Sequence, residues 1–575
     1  VALDDVTVSM HRSFRPGEHR VNVEFMMSRT QERIKHRAVE QAFSTLFLTE
    51  ERVLGMSRVP DATGILPLDA RLTDEQRRFV NAFAKQDGSR GHLLWGPPGT
   101  GKTTTVVAAA GAVLARYPAS RLLLVTPSND AADVLVERLA EYDRNKCGGS
   151  FLREKSTPSE RRMLRLNATQ RDVKTVREAV LHWSMPDGYG GFATPSAADV
   201  AGVRVVVATL MMANRLYSLG IAPGFTHVLV DEAGHCTEAE LLAGLQAAPD
   251  ALRVLLAGDH RQLGPVIRSS ACVAYGMGVS PLERLMGCCG ATAGAMLTHN
   301  YRSTEAIVDI VNAVYDDKLE ACGGRPGNVL RAGIPLVTDE SGAVPEALVR
   351  ATGGLSALFV HHSWPEHREA DSPSWCNPRE AHVAVSTALT LMRSHGLRAS
   401  DIVVLSPYQK QVQKIRQILH HRFQSEYPTQ MEVNARGKLD APIKVSTVEM
   451  FQGREARAVL VSTVRNARGA EHIGSDIRHG IGFLKQPQRA NVALSRAQDV
   501  MIVFGNADLL RADATWVKYI ERFERQGPGA VMDVSVRPSR RWVASEAVRS
   551  TMETCLNEME QLAIGAGERA FEREA

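Results

Sequence analysis

Between about residues 67 and 290, short apolar runs recur between longer stretches of helical periodicity: His92 to Trp95, Leu122 to Val125, Val203 to Val207, Val228 to Val230 and Val254 to Leu256. A second series follows over about 291–528, with Leu358 to Val360, Ile402 to Leu405, Ile443 to Val445, Val459 to Ser462 and Val500 to Phe504. Strands alternating with helices imply a parallel sheet with helices on its faces. The pattern therefore predicts an α/β protein with two parallel-sheet domains in tandem.

The flanks and one interior stretch break this rhythm. Residues 1–66 hold an alternating stretch, Val6 to Val8 and Val21 to Phe25, then a basic helical segment from Arg29 to Leu48, which reads as the end of a β-rich accessory domain and a long helix. Because the chain starts at Val1 and enters alternation at once, it reads as trimmed within that domain. Residues 142–200 carry Gly148-Gly149, a basic helix-like segment from Arg161 to Arg177 and a loop over 187–198, as expected of an insertion into the first domain. The tail over 529–575 contains Arg537-Pro538-Ser539-Arg540-Arg541 and a polar amphipathic helix near 544–562, with no readable chemistry.

Bulk properties add little beyond bounds. A chain of 575 residues is too long for one core and suggests roughly three or four domains. With 68 basic and 64 acidic residues, charge neither requires nor excludes a nucleic-acid partner, so any such binding must use a local groove. Its 8 cysteines include no Cys-x-x-Cys pair, which argues against a zinc framework or disulfide scaffold and for reduced thiols in the cytosol or nucleus. No apolar run is long enough to span a bilayer, so no membrane partner is expected.

Chemistry concentrates where strands end. Gly96-Pro97-Pro98-Gly99-Thr100-Gly101-Lys102-Thr103, followed by Thr104, closes the first apolar run and opens an alanine- and valine-rich helix. The spacing is that of a phosphate loop: glycines let backbone N–H groups converge on phosphate oxygens, Lys102 reaches the β and γ phosphates, and Thr103 offers its hydroxyl to Mg²⁺. Asp231-Glu232 follows Val228 to Val230, at the strand end where α/β proteins bind ligands. Asp231 suits Mg²⁺, and Glu232 suits the attacking water. Gln262, in Gly258-Asp259-His260-Arg261-Gln262-Leu263, follows the next strand and can bond both a γ-phosphate oxygen and that water. Phosphoryl transfer also needs fixed positive charge, for which Arg302 in Asn300-Tyr301-Arg302-Ser303 and Arg496 in Asn491-Val492-Ala493-Leu494-Ser495-Arg496-Ala497 are the candidates. If both come from the second domain, the site lies between domains. Gly453 and Glu455, in Gln452-Gly453-Arg454-Glu455, suit the ribose; Gln76 could bracket an adenine edge and Tyr408 could stack on its face.

Taken in order, these segments resemble the superfamily 1 RNA helicases of the up-frameshift type, over roughly residues 65–525. The resemblance extends to Thr126-Pro127-Ser128-Asn129, Ala208-Thr209, Ser406-Pro407-Tyr408, Ser446-Thr447 and Phe451-Gln452-Gly453-Arg454-Glu455. Asp231-Glu232-Ala233-Gly234-His235-Cys236, Ser372-Pro373-Ser374-Trp375-Cys376-Asn377-Pro378 and Gly482-Phe483-Leu484-Lys485 look most like the RNA-silencing branch that contains Armitage. The resemblance implies two RecA-like domains with two insertions in the first, and an ATP- and Mg²⁺-dependent translocase moving 5′-to-3′ on single-stranded RNA. It further implies a cytoplasmic protein with ribonucleoprotein or silencing partners, acting in RNA silencing or mRNA turnover. Thr126, Pro127, Ser128, Asn129 and Thr209 would meet RNA phosphates on the first domain, and Ser446 and Thr447 on the second. Arg29 to Arg37 and Arg161 to Arg177 would form a stalk helix and an insertion near the strand. The zinc-rich regulatory domain of the up-frameshift proteins has no counterpart here. The residues alone leave open a DNA helicase of the same superfamily, since no 2′-hydroxyl reader stands out, and a nucleotide-gated ribonucleoprotein scaffold.

Overall fold

The computed structural model describes residues 30–41, 71–85, 91–147, 151–152, 160–221, 224–249, 251, 253–267, 269–289, 294–322, 355–368, 374–433, 439–466, 486–527 and 529–534. The alternating stretch before residue 30, Gly148-Gly149, Ser372-Pro373, Gly482 to Lys485 and the tail after residue 534 lie outside the described residues.

Two parallel sheets dominate. The first has the order β3-β4-β2-β5-β6-β1-β7. Its strands are β1 (Gly91–Trp95), β2 (Leu122–Thr126), β3 (Met163–Leu166), β4 (Val205–Thr209), β5 (His227–Val230), β6 (Arg253–Gly258) and β7 (Gly294–Met296). Strand periodicity of two splits each run between two cores. Leu122, Leu124, Val205, Val207, Leu229 and Leu255 face one side, under the helices Lys102–Arg116 and Asn129–Cys147. Leu123, Val125, Val206, Val228, Val230 and Leu256 face the other, under Leu210–Ser218 and Glu238–Leu245. Each such side chain is essentially solvent-free and contributes about 1.5–3 kcal/mol.

Two short strands, β8 (His299–Asn300) and β9 (Glu320–Ala321), pair with each other, and the chain then enters the second sheet. That sheet holds β10 (Ala357–His361) and, after the short pair β11 (His367–Arg368) and β12 (Trp375–Cys376), β13 (Ile402–Ser406). Beyond a further pair, β14 (Glu432–Val433) and β15 (Leu439–Asp440), come β16 (Lys444–Thr447), β17 (Ala456–Ser462), β18 (Ala497–Gly505) and β19 (Val531–Asp533). The order is β16-β13-β17-β18-β10-β19, all neighbours parallel. The chain thus forms two tandem RecA-like α/β domains.

Two expected bounds shift, because β7 joins the first sheet beyond residue 290 and β19 joins the second beyond 528, and one expected element is overturned. Arg161 to Arg177 is not a helix: Met163–Leu166 is the edge strand β3, paired with β4 in parallel, and a single 3-10 turn follows at Val173–Thr175. The reason is a buried charge. Arg165 sits inside that strand at 1% exposure, because its Nε donates to Asp133 Oδ1 at 2.9 Å and its Nη2 to Asn129 Oδ1 at 3.0 Å. Of the basic N-terminal segment, the described part is a helix, Thr30–Gln41, anchored on Glu238–Leu245 through Lys35 and Glu240 at 3.0 Å.

Candidate functional site

Parallel strands send all their carboxyl ends to one edge, so the loops after β1, β5, β6 and β7 converge there. The loop after β1 is shaped by its glycines. Gly99 and Gly101 have φ of +72° and +79°. A Cβ at Gly99 would lie 2.6 Å from Arg302 Cβ, and one at Gly101 would lie 2.8 Å from Gln76 Nε2. Only glycine fits either position, since the left-handed backbone and the neighbouring side chains leave no room for a Cβ. The residues present fit a nucleoside triphosphate with Mg²⁺: beside this cradle, Thr103 Oγ1 donates to Asp231 Oδ2 at 2.8 Å, a hydroxyl and carboxylate pair suited to a hard cation.

Lys102 and Glu232 face each other across the loop, Nζ to Oε2, at 3.1 Å. Burial pulls the Lys102 ammonium down, but Glu232, Asp231 and Asp259 outweigh it and raise its pKa. Burial likewise opposes ionisation of Glu232, yet Lys102 and then His235 hold its carboxyl below the ordinary range. Asp231 moves the other way, raised by burial against the pull of Lys102. Glu232 occupies a left-handed conformation, φ +59° and ψ +34°, which costs a non-glycine residue about 1–3 kcal/mol and is tolerated mainly at functional sites. His235 Nε2, buried close by, and Gln452 Nε2 have no partner among the described residues.

The opposite wall comes from the second domain. Arg496 lies just after the helix Pro487–Leu494, 2% exposed, and its Nη2 donates to Gln262 Oε1 at 2.6 Å. Burial, with repulsion from Arg302, brings its pKa down to about 10, so it remains a cation at neutral pH. Gln262 in turn donates from Nε2 to Asp259 Oδ2 at 2.8 Å. The same Oδ2 accepts from Tyr315 Oη at 2.6 Å, while Asp259 Oδ1 accepts from Trp95 Nε1 at 3.0 Å. Asn491 Nδ2 closes the network on Tyr315 Oη and on the Arg261 carbonyl, both at 2.7 Å. Trp95, at the end of β1, packs into the core of the second domain. Sequence reasoning missed Trp95, Tyr315 and the side-chain role of Asn491; no spacing rule joins residues 56 and 176 positions apart.

Arg302 is pinned by Glu455, with Nε to Oε2 at 2.6 Å, and its Nη1 donates to the Ser495 carbonyl at 3.0 Å. Glu455 also accepts from Gln498 at 2.9 Å, so its carboxylate is engaged by the second domain's own residues. Gly453 forms the left-handed turn before it, φ +73°. Gln76 is part of a helix cap: Oε1 accepts from the Thr73 N–H at 3.0 Å and Nε2 donates to the Thr100 carbonyl at 3.2 Å. It touches the phosphate loop with one amide proton to spare. Tyr408 is buried at 2% exposure, its hydroxyl against Arg465, and presents no open ring face in this arrangement. Thr104 is exposed and accepts from Arg138 at 3.3 Å.

The expected strand-contact residues share the same edge but differ in access. Thr126 is fully buried, its hydroxyl donating to the Ser128 carbonyl at 2.7 Å, and Ser446 is 5% exposed. Ser128 and Asn129 are exposed, and Pro127, Thr209 and Thr447 are half-buried. Asp130 and Arg454 bridge the two domains at 2.7 Å beside them. Among the described residues no helix is long and apolar enough to cross a membrane.

Known proteins match this chain over the same two domains. Two AAA domain models match, one over residues 71–277 and the other over 277–508. MOV-10 of chicken (Gallus gallus) is 34% identical over 463 residues, which cover 76% of this chain and 44% of that protein. Human (Homo sapiens) RNA helicase Mov10l1 is 35% identical over 450 residues, 75% of this chain and 33% of that one. The RNA helicase armi of Drosophila melanogaster is 27% identical over 577 residues, 90% of this chain and 45% of its own. The chain spans about half the length of the curated relatives it matches. With two RecA-like AAA domains facing each other across a phosphate loop, the chain has a helicase fold and is similar, through both domains, to the branch that holds MOV-10, Mov10l1 and armi.

Proposed function

We propose that the chain is the ATP-hydrolysing motor of an RNA helicase, translocating 5′-to-3′ on single-stranded RNA within ribonucleoprotein or silencing particles of the cytoplasm. The observation that carries this is the cleft itself: Lys102, Thr103, Asp231, Glu232 and Gln262 from one domain face Arg302 and Arg496 from the other. A protein that only clamps RNA has no need of a general base, a water-positioning amide and two arginines together.

Lys102 and the loop N–H groups bind the phosphates, and Arg302 and Arg496 meet the charge that spreads over the transferred phosphoryl oxygens. Thr103 and Asp231 would hold Mg²⁺, which would supply further charge neutralisation there. Glu232, ionised and turned into the cleft by its left-handed backbone, orients the lytic water and takes its proton. Gln262 contacts Arg496 and Asp259 together, so a change at the γ-phosphate position reaches Tyr315 and Asn491 and alters how the domains abut. RNA then crosses the strand-end edges of both sheets, held through Ser128, Asn129, Thr209 and Thr447 by phosphate contacts that ignore base sequence. The polarity and the RNA substrate rest on the family resemblance and on the relatives' names.

Duplex unwinding with 5′ or 3′ single-stranded overhangs, in RNA and in DNA, tests this. Unwinding of RNA from a 5′ overhang is expected; equal unwinding of DNA, or unwinding from 3′ overhangs alone, overturns it.

A further inference from the structure

The strand pair next to the phosphate loop carries a ligand set that the nucleotide chemistry does not use. β8 and β9 run parallel with His299 opposite Glu320, and the Cys322 N–H donates to the Asn300 carbonyl at 2.9 Å. Side chains along a strand alternate, so Glu320 and Cys322 project to the same side, and His299 in register with Glu320 shares it. One ligand atom from each of the three lies within 4.8 Å of the other two. We propose that His299, Glu320 and Cys322 form a binding site for a divalent cation of the Zn²⁺ class.

The geometry of His299 separates this from a chance cluster. Its Nε2 faces Glu320 Oε2 at 3.8 Å, while Nδ1 lies 3.2 Å from Thr298 Oγ1 and 3.4 Å from Glu75 Oε2. A histidine with one ring nitrogen turned to other ligand atoms and the second to a carboxylate is the arrangement that fixes the tautomer of metal-binding imidazoles. Glu75 is itself held, accepting from Thr298 Oγ1 at 2.8 Å and from the Thr298 N–H at 3.2 Å. Nitrogen and oxygen ligands on a tetrahedral zinc, each about 2.0–2.1 Å from the metal, sit roughly 3.3 Å apart, so the pair must close by only about half an ångström. Thiolate, imidazole and carboxylate together suit Zn²⁺ or Co²⁺ rather than Mg²⁺, and three protein ligands leave a fourth position for water. Burial and the Glu320 and Glu75 carboxylates raise the Cys322 thiol above its ordinary pKa. A bound dication neutralises that negative field, so metal uptake releases the thiol proton to solvent.

The place of the site gives it a consequence. Asn300, in β8, donates from Nδ2 to the Pro98 carbonyl at 2.8 Å, and the Tyr301 N–H donates to the Gly99 carbonyl at 2.9 Å. A cation joining β8 to β9 therefore stiffens the segment that leads from the phosphate loop to Arg302.

Titrating the metal-free chain with Co²⁺ and following its absorption tests the assignment without any activity readout. We expect a sulfur-to-cobalt charge-transfer band with tetrahedral-strength visible bands, saturating at one equivalent and displaced by Zn²⁺. The charge-transfer band should vanish in Cys322→Ser, persist in Cys288→Ser, and need roughly 10- to 100-fold more Co²⁺ in His299→Gln and Glu75→Gln. Cys322 is exposed, so its serine variant retains the fold, as circular dichroism will verify. Absence of the band in the parent chain, or its survival in Cys322→Ser, overturns the proposal.

Discussion

Replacing Tyr315 with phenylalanine removes one oxygen from the contact between the two sheets and leaves the ring in place. That ring keeps its neighbours, Trp95 at 6.2 Å between centroids and the Arg261 guanidinium at 5.9 Å. What is lost is the 2.6 Å bond to Asp259 Oδ2 and the acceptor for Asn491 Nδ2 at 2.7 Å. Asn491 Nδ2 retains the Arg261 carbonyl, so the larger loss falls on Asp259. A hydrogen bond to an ionised carboxylate is worth about 1.5–3 kcal/mol, and with Tyr315 at 0% and Asp259 at 3% exposure, water does not replace it. For an unfolding slope of about 3 kcal/mol per molar urea, the midpoint should fall by roughly 0.5–1 M. Because Gln262 rests on the same Oδ2, kcat for ATP should also fall about tenfold, while KM for ATP changes less than about twofold. Urea unfolding followed by tryptophan fluorescence, together with RNA-stimulated ATPase kinetics, measures both. A variant with the parent's urea midpoint and the parent's kcat would refute the role of this contact.

Three further outcomes are expected. Glu232→Gln should bind nucleotide like the parent while turnover drops about 10²- to 10⁴-fold, read by comparing fluorescent-nucleotide binding with ATPase rate. Gly99→Ala adds a Cβ 2.6 Å from Arg302 and a left-handed penalty of about 1–2 kcal/mol, so turnover should fall at least tenfold; Gly188→Ala, at a similar φ of +80° with nothing within 4 Å, should leave turnover intact. Burial, then Arg253, brings the His227 pKa from 6.5 down to about 4, so the unfolded chain binds the extra proton between those values. Stability from this residue is thus full above pH 6.5 and is lost by about 3 kcal/mol as pH falls to about 4; urea midpoints across that range should flatten in His227→Gln.

Much of the nucleotide wall was legible because it is local. Lys102 and Thr103 stand one turn from the glycines that shape their loop, and Asp231 and Glu232 end a strand whose apolar run marks it. The second wall was legible only as residue types. Arg302 and Arg496 suit the chemistry by type, but Arg302 is seated on Glu455 by the packing of distant segments, and Arg496 on Gln262 by how two sheets abut. Where the reading went astray, a buried charge was responsible: Arg165 made β3 look polar, because its partner Asp133 lies on a helix 32 residues earlier. Gln76 and Tyr408 show the converse: Gln76 also builds a helix cap and Tyr408 is buried beside Arg465, which no reading of spacing reveals.

Local patterns in the chain suffice for the two parallel sheets and the identity of the phosphate loop, since strand burial and backbone approach to phosphate are set by residues a few positions apart. Which residues meet across the cleft and across β8 and β9 emerges from the packed fold alone. Asp259 with Tyr315 and Asn491, and His299 with Glu320 and Cys322, are pairings at long chain separation, and they exist only once the packing of whole sheets has placed them.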